Sequence, residues 1–214
     1  MKTLITAHSG CEGTAMNSPA FFEAAFSSGA DMLEIDVRMS PDGFLYLFHD
    51  LPPEGPENCV RLTDFFDLLK KHPAFRVNCD MKEEGIARAV MEEARRRDIA
   101  PRIVFTGSVM GEEEEIRSLG GEFWYGIWER EDFEPALSSM LATGAKILNL
   151  PHRFVTPENK ARLDSLGLGF SCWTADREED IRRLLSLGVY NITTRRPVLA
   201  LALREEVQGE TRIL

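Results

Sequence analysis

The sequence is short of cysteine: there are 4 among 214 residues. Cys11, Cys59, Cys79 and Cys172 stand at wide, irregular spacing with no CxxC pair, which excludes a disulfide scaffold or a cysteine-rich metal knuckle. Reduced thiols are expected, with Cys79 and Cys172 turned toward covering helices as small apolar groups. Long apolar runs are missing too. None approaches the roughly 18–20 residues of a membrane span, and MKTLITAHSG enters strand-like sequence without an apolar signal region. Integral membrane association is not expected, and the expected location is cytoplasmic. Positive charge is the minority sign, 25 Lys and Arg against 35 Asp and Glu, a net charge of −10. A nucleic-acid backbone or anionic membrane surface would be repelled, which leaves a small ligand held by a local cluster of opposite charge. Finally, no GxGxxG or GxxxxGK[ST] follows the first strand-like run, which counts against a doubly wound nucleotide-binding sheet.

What is present is alternation. Short β-branched or aromatic runs (LITAH, MLEIDV, FLYLFH, FRVNCDM, RIVFTG, EFWYGIW, KILNL, LGFSCW, VYNIT) are separated by amphipathic segments near 18–28, 62–71, 84–98, 111–119, 133–142, 157–166, 178–187 and 197–206. That is the pattern of βα units around a parallel sheet. Helix starts are marked by Ser18-Pro19, Thr63, Thr156-Pro157 and the acidic turn Glu178-Glu179-Asp180; stops are marked by Gly29, Gly120, Gly144 and Gly188. The count exceeds an eightfold barrel by one strand. MLEIDV and FLYLFH are joined by no helix, only by a turn at Pro41-Asp42-Gly43, so they are expected to form a hairpin. The reading is an α/β TIM (β/α)8 barrel with a hairpin extension after strand 2, one domain over residues 1–214.

Alternation also sorts the polar residues. In a strand, residues two apart share a face. Leu33, Ile35 and Val37 then face the helices, leaving Glu34 and Asp36 inside the barrel; likewise Asn78, Asp80 and Lys82 point inward opposite Val77, Cys79 and Met81. These groups lie toward the C-terminal ends of their strands, the rim where barrel sites are built. A turn centred on Asp42-Gly43 pairs Asp36 with His49, and His8 ends the neighbouring first strand. Three inward carboxylates require a compensating cation. Oxygen donors favour Mg2+ or Ca2+ over Zn2+. Lys82 beside Asp80 suits a substrate anion, and two histidines suit proton transfer in a phosphate ester displacement.

With these residues assembled, the chain resembles the glycerophosphodiester phosphodiesterase family from His8 to Pro197. The family's HRG resembles His8-Ser9-Gly10. Its ExD, turn and HD are similar to Glu34-Ile35-Asp36, Pro41-Asp42-Gly43 and His49-Asp50. Its ExK resembles Asp80-Met81-Lys82, its WTxN resembles Trp173-Thr174-Ala175-Asp176, and its closing GxxxIxTxxP resembles GVYNITTRRP. The resemblance implies a TIM barrel with Glu34, Asp36 and Asp80 as metal ligands. It implies His8 and His49 as the catalytic acid–base pair, and Lys82 and Trp173 as substrate contacts. It also implies a small phosphodiester substrate whose own adjacent hydroxyl attacks, giving a cyclic phosphate.

Several positions depart from the family pattern. Its Arg is Ser9 and the Glu of its PENT segment is Met16 in Ala15-Met16-Asn17-Ser18. Glu12 and Arg38 stand near enough in sequence to substitute, and the family insertion between Asp50 and Asp80 is largely missing. A sphingomyelinase D- or lysophospholipase D-like transferase shares some of these departures, and a catalytically silent phosphate-binding relative is the other alternative. Elsewhere the expectations are bland: His72 as a solvated helix-end cation, His152 as structural or a peripheral substrate contact, Trp124 and Trp128 as core, with lining of the barrel mouth as the alternative. The run from Glu112 to Glu115 is read as a solvated helix start, and Arg95-Arg96-Arg97 as a match to the helix dipole. Arg195 and Arg196 follow the last strand, where an anion contact is open.

Overall fold

The computed structural model describes residues 2–109 and 111–209. In chain order the described elements are β1 (Leu4–Ala7), α1 (Pro19–Ser28), β2 (Met32–Met39), β3 (Leu45–Leu47), β4 (Val60–Arg61), α2 (Leu62–Lys70), β5 (Arg76–Met81), α3 (Ala87–Arg96), β6 (Ile103–Gly107), α4 (Glu113–Ser118), β7 (Glu122–Phe123), β8 (Tyr125–Gly126), α5 (Phe133–Thr143), β9 (Ile147–Pro151), α6 (Pro157–Ser165), β10 (Gly169–Trp173), α7 (Glu178–Leu187), β11 (Asn191–Thr194) and α8 (Pro197–Gly209). The parallel strands run in the order β7-β6-β5-β2-β1-β11-β10-β9-β8. Although β7 and β8 stand at opposite ends of that path, they are consecutive in sequence. β7 pairs with β6 and β8 with β9, and between them the Trp124 amide donates to Phe105 O at 3.0 Å. One extended segment therefore joins both ends of the sheet, which is the expected parallel α/β barrel.

The packing follows the period-2 pattern. Leu33, Ile35, Val37, Val77, Cys79 and Met81 lie in the main core between barrel and helices. Cys172 lies there too, and all four cysteines are free thiols. Inside the barrel a small apolar floor of Met32, Val104, Trp124 and Ile147 gives way to polar side chains. Thr6 Oγ1 donates to Asn191 Oδ1 at 2.7 Å, and Asn191 Nδ2 donates to Ser171 Oγ at 3.0 Å. This hydrogen-bonded layer satisfies buried polar groups that would otherwise each cost about 1–3 kcal/mol and carries the wider polar cleft above it.

Helix starts follow local chemistry. Ser18 accepts from the Phe21 amide and Thr156 from the Asn159 amide, each with proline at the first helical position, caps worth about 1 kcal/mol apiece. Thr63 proves not to be a start: α2 begins at Leu62 with Arg61 before it and no side-chain cap. Glu112 is not simply solvated. Its carboxylate accepts from the Gly85 and Ala87 amides at 2.9 and 3.1 Å, so it caps the start of α3 from the neighbouring unit. His72 is corrected as well, its ring stacking on Phe26 with centroids 3.9 Å apart. Trp124 is fully buried but Trp128 is 50% exposed, because it lines the open cleft rather than the core.

The hairpin forms one residue away from the expected register. Val37 pairs with Leu47, Arg38 with Tyr46 and Met39 with Leu45. The Ser40 amide donates to Phe44 O at 2.9 Å, so the turn centres on Asp42 itself. Asp36 therefore faces Phe48, whose amide donates to Asp36 O at 3.1 Å. β3 goes on to pair with β4, a two-residue strand too short to show a pattern in sequence.

Candidate active site

β2 and β5 deliver the acidic cluster. Asp36 and Asp80 are register partners on adjacent strands, as are Glu34 and Asn78. Glu34, Asp36 and Asp80 each offer one carboxylate oxygen, all within 4.8 Å of one another. Glu34 and Asp36 are 5% and 1% exposed, so bulk water does little to stabilise their charges. Burial pushes the Glu34 carboxyl well above the usual range, reinforced by the charges of Asp36 and Asp80. Lys82 bonds Asp36 Oδ1 at 2.9 Å and also Asp80. Burial alone would lower its pKa, but the pull of Asp80 and Asp36 outweighs this and raises it, so it stays an ammonium.

The loop after β1 fixes two of these carboxylates. Ser9 is fully buried, its amide donating to Glu34 Oε2 at 2.9 Å while its hydroxyl accepts from the Asn17 amide at 2.9 Å. Asn17 then grips Asp36 twice: Nδ2 donates to Oδ2 at 2.7 Å, and Oδ1 accepts from the Asp36 amide at 3.1 Å. Its φ of +52° is one that asparagine tolerates. Asn17 is the positioning residue that sequence reasoning missed. The available signal was its place in the Ala15-Met16-Asn17-Ser18 segment.

Gly107, at the end of β6, makes room for Asp80. Its φ is +80°, and a Cβ there would sit 2.3 Å from Met81 O and 2.6 Å from Asp80 Oδ1. Gly107→Ala is therefore expected to lower stability by about 1–3 kcal/mol and to displace the Asp80 carboxylate. Urea unfolding and divalent-ion titration of the same variant would show both losses.

The cleft above the cluster has a volume of about 430 Å3, and His8, His49, Lys82 and Trp173 all reach it, with Met16, Trp128 and Arg195. His8 Nδ1 lies 2.8 Å from Ser9 O. A carbonyl only accepts, so the proton sits on Nδ1 and Nε2 keeps its lone pair. Burial lowers the His8 pKa, with a smaller contribution in the same direction from the Arg195 charge; the ring is neutral near pH 7. His49 is half-exposed and holds Asp50 Oδ1 at 3.0 Å from Nδ1. His152 lies outside the cleft, 3.7 Å from Asp180, and burial lowers its pKa. Neither substitute for the missing arginine and glutamate enters the cleft: Arg38 bonds Glu83 and His49 O, and Glu12 accepts from the Val198 amide. Met16, in place of the family's glutamate, is half-exposed on the cleft wall.

Comparison with known proteins adds to this geometry. The profile of the Glycerophosphoryl diester phosphodiesterase family matches residues 8–108, a span that holds His8, the three carboxylates, His49 and Lys82. Over this span the chain is similar to that family. A glycerophosphodiester phosphodiesterase of Caldanaerobacter subterraneus subsp. tengcongensis is 23% identical over 92% of this chain and 96% of its own. A Parabacteroides distasonis glycerophosphodiester phosphodiesterase superposes with a TM-score of 0.77 at 20% identity, covering 99% of both chains. An Oleispira antarctica phosphodiesterase, solved with the product sn-glycerol-3-phosphate, superposes with a TM-score of 0.78 at 14% identity, covering 94% of this chain and 96% of that one. Among the described residues, no helix is long and apolar enough to cross a membrane.

Proposed function

We propose that the protein is a Mg2+- or Ca2+-dependent phosphodiesterase acting on a small glycerophosphodiester or lysophospholipid-like substrate through a cyclic phosphate. The observation that carries this reading is the trio Glu34, Asp36 and Asp80, with donor oxygens within 4.8 Å of one another beneath a cleft that two histidines enter. The donors fit a hard divalent ion: all are carboxylate oxygens, and burial with mutual repulsion pushes Glu34 up until a cation is supplied. When bound there, such an ion would act as a Lewis acid toward the phosphoryl oxygens.

The chain's own groups carry the proton transfers and the positioning. His8 Nε2, left bare by the Nδ1–H bond to Ser9 O, accepts the proton of the substrate hydroxyl adjacent to the phosphate. His49, oriented by Asp50 at Nδ1, returns a proton to the departing alcohol. Lys82 orients a phosphate oxygen from beside Asp80, and Trp173 walls the cleft. The attacking group is the substrate's own hydroxyl, and water opens the cyclic product in a second step.

Incubation with Mg2+ or Ca2+ and a mixture of glycerophosphodiesters and lysophospholipids, followed by 31P NMR, tests the reading. New monoester or cyclic phosphate signals that disappear with chelator are expected, and persistence of the cyclic signal would mark a lyase. No product from any diester while the ion still binds would overturn it. Location in the cytoplasm accompanies the proposal and is tested by cell fractionation.

A further inference from the structure

We propose that Arg195 is the second cation of the phosphate site, supplied from the last barrel strand where the family's first motif has lost its arginine to Ser9. The inference rests on the phosphodiesterase reading above and names a residue which that reading does not use. Among the described charged residues lining the cleft, only Lys82 and Arg195 carry a fixed positive charge. Lys82 is already committed, bonded to Asp36 and Asp80. A divalent ion and the Lys82 ammonium together balance the three carboxylates, so a phosphodiester anion entering the cleft meets no surplus positive charge from that group. Arg195, held on one side by its counter-ion Asp176, is the cationic group left with free N–H donors to bind it.

The surroundings of Arg195 hold it for that use. Ala7 and Thr194 are register partners on β1 and β11, and the His8 amide donates to Thr194 O at 2.8 Å. Arg195 thus follows β11 just as His8 follows β1. Its backbone is tied on both sides, the amide to Asp176 Oδ1 at 2.7 Å and the carbonyl to the Glu12 amide at 2.8 Å. Among the described residues its side chain makes one hydrogen bond, from Nη1 to Asp176 Oδ2 at 3.0 Å. A guanidinium has five N–H donors, so a bidentate face remains for phosphate oxygens. Its side chain is 47% exposed, open to an incoming ligand. Arg196 does not share this position; its Nη1 reaches back to Asp176 O at 3.5 Å.

The test measures phosphate binding apart from turnover. Inorganic phosphate and glycerol phosphate would be titrated into the Mg2+-loaded protein by calorimetry and 31P line broadening, for the wild type, Arg195→Gln and Arg195→Lys. The expected result is an affinity about ten- to a hundredfold weaker in the Gln variant, the range of a lost charge-assisted bond. A smaller loss is expected in the Lys variant, with Mg2+ affinity unchanged in both. Where diesters turn over, KM rises by a similar factor. Phosphate affinity at the wild-type level in both variants would overturn the inference. Failure of the phosphodiesterase reading would instead appear as no turnover in the wild type, with the binding comparison still decisive for Arg195.

Discussion

Glu34→Gln is expected to abolish metal-dependent turnover, by about 10³-fold or more, while leaving the metal-free protein at least as stable as the wild type. The first effect follows from losing one of three ligand carboxylates, since the Lewis-acid contribution of a bound ion is worth several kcal/mol. The second follows from the direction of the Glu34 shift. Burial raises its pKa in the folded protein well above the ordinary 4.5. The stability this group contributes is present below 4.5 and is lost as pH rises through the folded-state value. The metal-free wild type should therefore lose stability as pH rises through that window, and the Gln variant should not lose that component. Urea unfolding from pH 5 to 8, with and without chelator, compares the two. A wild type with the same pH dependence as the variant would show that Glu34 is not forced to ionise against its surroundings. Mg2+ should raise the wild-type midpoint and leave that of the variant unmoved.

The parts of the molecule legible in sequence are those fixed by short-range periodicity. Alternation in MLEIDV and FRVNCDM places Glu34, Asp36 and Asp80 inside and their apolar neighbours outside, because a strand gives its side chains no other choice. The proline and serine starts of α1 and α6 are equally local. What sequence leaves undetermined depends on contacts between distant segments. The hairpin register shifted by one residue because a tight turn admits more than one centre. Glu112 caps a helix some 25 residues away, which no helix-start rule reports. His72 found an aromatic partner on another helix, and Trp128 stayed exposed on the cleft wall. The same reasoning explains why Asn17 and Arg195 were harder to weigh than the carboxylates: each matters through a partner on a different strand end, Asp36 for one and Asp176 for the other.

The two histidines are expected to separate under mutation and pH. His8→Ala should lower kcat/KM by about 10²–10⁴-fold, the span of general base catalysis, with metal affinity intact. The wild-type acidic limb reports the His8 base. Burial lowers its pKa below 6.5, so the neutral, proton-accepting form persists as pH falls past the value of a free imidazole. That limb should lie below pH 6.5 and disappear in His8→Ala. His49→Ala should cost a comparable factor for an alkoxide leaving group but far less for p-nitrophenolate, which departs without a proton. Asp50→Asn, which leaves an amide beside His49 Nδ1 in place of a carboxylate, should fall between wild type and His49→Ala on the alkyl ester only. Equal losses on both esters in His49→Ala would remove the leaving-group role from His49 and make it a binding residue. Loss of the acidic limb in His49→Ala, with retention in His8→Ala, would exchange the two assignments. The fixed Nδ1 proton at His8 and the Asp50 carboxylate at His49 Nδ1 argue for the order given: one ring is held bare toward the cleft, and the other is oriented by its bond to Asp50.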